Sequence, residues 1–295
     1  YCGAKIDFID IDSSTFNISI PMLKDKLKKA KKNKNLPNLI IPVHLTGNSC
    51  DMLEIGKLSK KYGFKVLEDA SHCIGGDYKN RKIGSCKHSD ACVFSFHPVK
   101  IITTGEGGAI TTNDKVLDYK IKKLRSHGIE RDNKNFTSAD SLDWYYEQQE
   151  LGFNYRMTDI QACLGISQLK RINTIIKKRN RIAQYYDKNL NIKGIVKPNL
   201  KIFKGSSFHL YVIRMEKFRD ELREYLLSKD IICNLHYFPI HLQPFYKDLG
   251  FKKTMYPNAE AYAAEALSIP IYPELKKAEI DKIIFEIESF FKNVS

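Results

Sequence analysis

Two side chains in one stretch of this sequence could do chemistry together. Asp69 closes an apolar run, Val66-Leu67-Glu68-Asp69, and Lys100 follows a second run, Val93-Phe94-Ser95-Phe96, 31 residues after Asp69. A carboxylate and an amine are what a pyridoxal phosphate (PLP) site requires. One holds the proton on the pyridine nitrogen and the other condenses with the aldehyde. An adjacent opposite charge favours the protonated ring by about 1–3 pH units, which makes the ring an electron sink. Ser95 carries a hydroxyl that could donate to the phosphate. Taken singly, an Asp after a strand is a helix cap and a lone Lys is a solvated surface residue. The joint pattern, Ser95-Phe96-His97-Pro98-Val99-Lys100 followed by Thr104-Gly105-Glu106-Gly107-Gly108, carries the reading.

Positioning such a pair takes a sheet. Asp69 ends a β-type run, at the mouth where α/β folds bind ligands. The pattern predicts a strand over Lys5–Asp12, a helix over Ile20–Lys32 opened by Pro21, and a buried strand over Leu39–His44. A helix capped by Asp51 and ended by Gly63 follows, then the strand that delivers Asp69. This β-α-β-α-β order implies a parallel sheet covered by helices. Strands are expected at 91–96 and 108–112, a basic helix at 114–126, and a polar, mobile loop at 133–143. Thr158 and Asp159 open a single long helix to about Asn189, with Ile160, Leu164, Ile166 and Leu169 apolar. Past Gly194 the pattern becomes strand (208–213), helix (217–228), strand (231–235), and a last amphipathic helix with Ile280, Ile283, Ile284, Ile287 and Phe291 buried.

Two further stretches stand out. Gly152-Phe153-Asn154-Tyr155-Arg156-Met157 holds a guanidinium whose fork matches a carboxylate or phosphate, or an interface salt bridge. His236-Tyr237-Phe238-Pro239-Ile240-His241-Leu242-Gln243-Pro244 combines imidazoles and aromatics in a Pro-bounded loop. Such a loop could stack on a sugar nucleotide or simply fill a domain junction.

The lysine segment, the Asp69-Ala70-Ser71-His72 segment, Pro42-Val43-His44-Leu45-Thr46-Gly47, and these two stretches resemble the DegT/DnrJ/EryC1/StrS family of nucleotide-sugar aminotransferases over essentially the whole chain. The resemblance implies an α/β fold of the type I PLP-dependent aminotransferases. A large PLP-binding domain would span 1–190, including a long connecting helix, and a smaller C-terminal α+β domain 191–295. It implies that Lys100 is catalytic and that Asp69, His72, Ser95, Lys100 and Asn154 bind the cofactor. His72 stands beside the phenolic oxygen, where many members carry Gln, and Asn154 reaches the phosphate of a partner subunit. It implies Arg156, His236, Tyr237 and His241 as substrate contacts, and a homodimer with shared active sites. The lysine and histidine segments look most like the members that aminate a UDP-linked 4-keto-6-deoxy-N-acetylhexosamine, with glutamate the expected donor, on the way to amino sugars for surface glycans. In the family, helices bearing a phosphate-binding turn and a ring-stacking aromatic precede the segment that opens here with Tyr1. The expectation is therefore an N-terminal truncation with apolar sheet surface exposed and weak PLP binding. A PLP-dependent sugar dehydratase of the same fold is the first alternative, and Lys100 argues against it. A non-catalytic regulator or binding protein is the second.

Composition bounds the rest. The 295 residues suffice for two domains. No apolar run approaches the ~20 residues of a membrane span, and no signal peptide is visible. Seven cysteines without paired spacing read as free thiols in a reducing cytosol, with no metal site. The net charge is +14, densest over Lys24–Lys34. A solvated helix face explains it without a nucleic-acid partner, since no nucleic-acid-binding module is present.

Overall fold

The computed structural model describes residues 1–138 and 142–294. Helix α1, Ile20–Lys32, starts where the Ser19 side chain accepts the Met22 N–H and Pro21 occupies the first turn; Leu23 and Leu27 are its buried face. Strand β1, Leu39–Ile40, precedes α2, Met52–Tyr62, which Asp51 caps and Gly63 ends in a left-handed conformation (φ 80°). Strand β2, Lys65–Asp69, is followed by a hairpin of β3, Asp77–Tyr78, and β4, Arg81–Lys82. Strands β5, Ala91–Ser95, and β6, Gly108–Thr111, complete a sheet of order β1-β2-β5-β6. The first three strands are parallel and β6 is antiparallel. Asp69 pairs with Val93, so Asp69 and Ser95 finish on the same edge of the sheet.

The two faces of this sheet differ. Val66, Cys92 and Phe94 point to the face packed by Leu23, Leu27, Ile55 and Phe64 or by Ile101 and Ile102. On the other face Leu39, Ile41, Val43 and Ile110 are 47%, 51%, 44% and 47% exposed. The strand expected to be buried over Leu39–His44 is thus half open, with only Pro42 and His44 buried on the alternate side. The strand expected over Lys5–Asp12 is absent; one bridge, Ile11 to Ile18, forms there. Asp10 is engaged elsewhere, where its carboxylate accepts the N–H groups of Asn258 and Ala259, each at 2.9 Å. It thereby caps a distant helix that lacks a side-chain cap of its own.

Helix α3, Lys115–Arg125, carries the basic segment, capped by Asp114. A short ladder of β7, Ile129–Glu130, and β8, Glu147–Gln148, brackets the expected mobile loop. A helical turn at Asn133–Asn135 occupies the loop's start, and 139–141 lie outside the described residues. The single long helix is two: α4, Asp159–Leu169, with a Thr158/Gln161 capping box, and α5, Ile172–Asn189. The chain turns between them at Arg171 (φ −106°, ψ 2°). The apolar residues of α4 are not core: Ile160 is 79% and Leu164 49% exposed.

The second core forms around β9, Tyr211–Arg214, antiparallel to β10, Ala266–Ile269. Helices α6 (Arg219–Ser228), α8 (Pro257–Glu265) and α9 (Lys277–Val294) contribute to this core, and the short α7 (Pro244–Asp248) buries no residue. Ile280, Ile283, Ile284, Ile287 and Phe290 are buried on α9, while Phe291 is only partly covered. Ile182, Ala183 and Tyr186 of α5 join the same core. The strand expected at 231–235 reduces to one bridge, Asn234 to Ser268.

Candidate active site

Asp69 is held at the end of β2 through its backbone and its carboxylate. Its N–H donates to Pro42 O (2.9 Å), its carbonyl accepts the His44 N–H (3.0 Å), and its Oδ1 accepts the Ser71 N–H (3.0 Å). Lys100 lies in the loop after β5. That loop closes back on the strand end: Phe96 O accepts the Thr104 N–H (3.0 Å) and the Thr103 hydroxyl (2.9 Å). Gln168 of α4 clasps both backbone groups of Thr103. Ile101 and Ile102, 5% and 0% exposed, anchor it below. Gly107 sits at φ 155°, and a Cβ there would collide with Thr104 and Met157, so the return to β6 requires glycine. Lys100 itself is half-buried. Burial lowers the pKa of its amine below the usual lysine value, and the nearby Asp69 carboxylate opposes that shift.

Around this pair stand groups from both cores. His72, 6% exposed, makes a 3.1 Å hydrogen bond to the Tyr237 hydroxyl, and its ring lies 4.4 Å from that of His209. Burial first, then the Lys100 charge, lowers the His72 pKa to about 3, so the imidazole is neutral. His209 is held well below the usual histidine range by burial and by its neighbour His72. His236 is lowered by burial and by Lys100; its Nδ1 lies 2.9 Å from Ser268 Oγ. Tyr237 is raised by burial and by Asp69. Each of these groups feels Lys100 or Asp69, so Asp69, His72, Lys100, His236 and Tyr237 lie in one neighbourhood.

The remaining expected residues stand differently. Ser95 ends β5 on the Asp69 edge, where its Oγ accepts the His97 N–H (3.3 Å). Asn154 and Arg156 lie exposed on the segment that runs past Ser126, with no side-chain partner among the described residues. His241 is 4% exposed, and its Nε2 lies 2.9 Å from Glu260 Oε1. The sequence reading missed His209. Its stretch reads as a strand entry, and nothing local signals a ring that will pack on His72 from 137 residues away.

The donor set fits PLP. A fixed carboxylate ends a parallel strand, a half-buried amine feels its charge, and the buried Nδ1 of His72 has no protein partner among the described residues. Together the fold and this site define a PLP-dependent aminotransferase.

The model of the DegT/DnrJ/EryC1/StrS aminotransferase family matches residues 1–288. A UDP-4-amino-4,6-dideoxy-N-acetyl-beta-L-altrosamine transaminase of Campylobacter jejuni is 40% identical over 92% of this chain and 70% of its own length. The Helicobacter pylori aminotransferase PseC, involved in pseudaminic acid biosynthesis, superposes with a TM-score of 0.88 at 31% identity, covering 99% of this chain and 75% of its own. The PLP form of a Streptococcus pneumoniae putative sugar aminotransferase gives 0.84 at 28% identity, over 99% and 76%. The chain belongs to the DegT/DnrJ/EryC1/StrS family and is a sugar aminotransferase that depends on PLP. No helix among the described residues is long and apolar enough to cross a membrane.

Proposed function

We propose that this aminotransferase carries an amino group from glutamate to carbon 4 of a nucleotide-linked 4-keto-6-deoxy sugar, a UDP-linked 4-keto-6-deoxy-N-acetylhexosamine being the first candidate. The observation that carries the reading is that the Lys100 amine feels the Asp69 carboxylate and is felt in turn by His72 and His236, with Tyr237 hydrogen-bonded to His72. The name of the Campylobacter relative, a transaminase of a UDP-linked 4-amino sugar, supports the substrate class.

When bound, PLP supplies the electron sink and carries the nitrogen between the two substrates. The protein supplies the rest. Asp69 accepts the ring N–H and keeps that proton in place. Lys100 would hold the cofactor through its amine, and its Nζ would take and return the proton at the substrate carbon; burial makes the neutral amine available for this. His72 serves the phenolic oxygen as a neutral imidazole. His236 and Tyr237 face the sugar nucleotide, while His241 props their loop through Glu260. Ser95 donates to the phosphate together with Asn154 of a second copy, and Arg156 takes an anionic group of donor or nucleotide. In this reading 1–190 form the cofactor domain and 191–295 the smaller domain, and the working unit is a homodimer. Glutamate-dependent amination of a panel of keto-sugar nucleotides tests the proposal. Turnover of the UDP-4-keto-6-deoxy-N-acetylhexosamine above the other sugars supports it, and amination of none contradicts it.

A further inference from the structure

We propose that Glu68, on the opposite face of β2 from Asp69, is a second carboxylate of this site: oriented by His44 and Ser89, it steadies Asp69 and adds negative charge behind the ring nitrogen. The inference rests on the reading that Asp69 meets that nitrogen. Glu68 is 4% exposed, and a buried carboxylate is costly unless hydrogen bonds replace its water. Both of its oxygens are bonded. His44 Nε2 lies 2.8 Å from Oε2, and the Ser89 hydroxyl bonds Oε1. His44, 0% exposed, accepts the Cys50 N–H at Nδ1 (3.2 Å). The single proton of the neutral ring is therefore on Nε2 and is donated to Glu68. Both oxygens of Glu68 thus accept, one from His44 and one from Ser89. The nearby thiols of Cys50, Cys73 and Cys92 are pushed up by burial, Cys73 to about 12, and stay uncharged.

The same residues hold Asp69 through the backbone. The His44 N–H donates to Asp69 O (3.0 Å), while the His44 side chain grips the preceding residue. A shift of Glu68 or His44 is a shift of Asp69. Glu68 and His44 are positioning residues, touching neither cofactor nor substrate.

The test uses the PLP-loaded enzyme, with nitrogen-15 in the pyridine ring read by NMR, beside the single-turnover rate with glutamate. Glu68→Gln keeps the shape and removes the charge. It should move the ring-nitrogen signal toward the unprotonated position and slow the half-reaction about tenfold, as one pH unit of lost proton affinity implies. PLP affinity, measured by fluorescence, should stay within about threefold, because the groups that touch the cofactor remain. An unchanged signal and rate in Glu68→Gln, while Asp69→Asn changes both, would overturn the proposal and leave the assignment of Asp69 standing. If Asp69→Asn also left the signal unmoved, the assignment of Asp69 would fail and the proposal with it. Should Glu68→Gln not fold, Glu68→Asp decides: the charge stays but withdraws from His44, so the signal should remain protonated while the half-reaction slows about threefold. A rate equal to wild type there contradicts the proposal.

Discussion

The amine of Lys100 illustrates how a residue's setting makes its chemistry. Burial lowers its pKa below the usual lysine value of 10.5 and Asp69 raises it. Condensation of PLP with the apo chain, followed by the colour of the bound cofactor, should therefore increase with pH about a midpoint below 10.5. In Asp69→Asn the opposing charge is gone, so the midpoint should fall further; a rise would mean the two groups do not face each other. His72 makes a stability prediction of its own. Folded, it stays neutral down to about pH 3, whereas the unfolded imidazole takes a proton near 6.5. Between those values the unfolded chain binds more protons, so stability is lost as pH falls from 6.5 toward 3. His72→Gln removes this contribution, and the loss between pH 6.5 and 4 should shrink by about 3 kcal/mol in urea titrations of the apo chain. An acid arm as steep as wild type would refute the buried neutral imidazole.

At the scale of elements, α5 joins the two cores, and Arg179 is its fastener. The guanidinium, 5% exposed, donates to Phe208 O (3.0 Å), His209 O (3.3 Å) and Ile271 O (2.9 Å). Arg179→Met would leave those carbonyls buried without donors and should cost about 3 kcal/mol in denaturant unfolding. A cost under about 0.5 kcal/mol would mean that other donors replace it. The carbonyl of His209 is among the three, so the joint also aims the ring that packs on His72. Where local chemistry decides, the sequence was readable. Ser19 and Pro21 start α1, Asp51 and Gly63 bound α2, and the apolar runs ending at Asp69 and Ser95 are strands. It misled where distant partners decide. Lys5–Asp12 alternates like a strand, yet Asp10 leaves the pattern to cap α8. Residues 231–235 have strand composition but find one bridge, with Ser268. The break at Arg171 carries neither Gly nor Pro, so no residue marks it. In the site, Asp69 and Lys100 stood out because the roles proposed for them demand particular residue types near particular strands. His209 and Glu68 did not, since their partners come from elsewhere in the chain.

On the scale of the whole molecule, the exposed apolar residues along one edge carry the dimer prediction. Leu151 is 92% exposed, Tyr155 71% and Ile160 79%, on the segment that also bears Asn154 and Arg156. Mixing Asn154→Ala chains with Lys100→Ala chains should restore part of the activity that each lacks alone, because one site of the mixed dimer has neither lesion. No recovery, with subunit exchange verified by mass, would mean Asn154 serves its own chain. The claim on which all of this depends is that Lys100 is the residue that holds PLP. Borohydride reduction of the PLP-loaded protein followed by peptide mass mapping tests it most directly. The account predicts the cofactor mass on the peptide containing Lys100 and none in Lys100→Ala; a label on another lysine of the wild-type chain would contradict it.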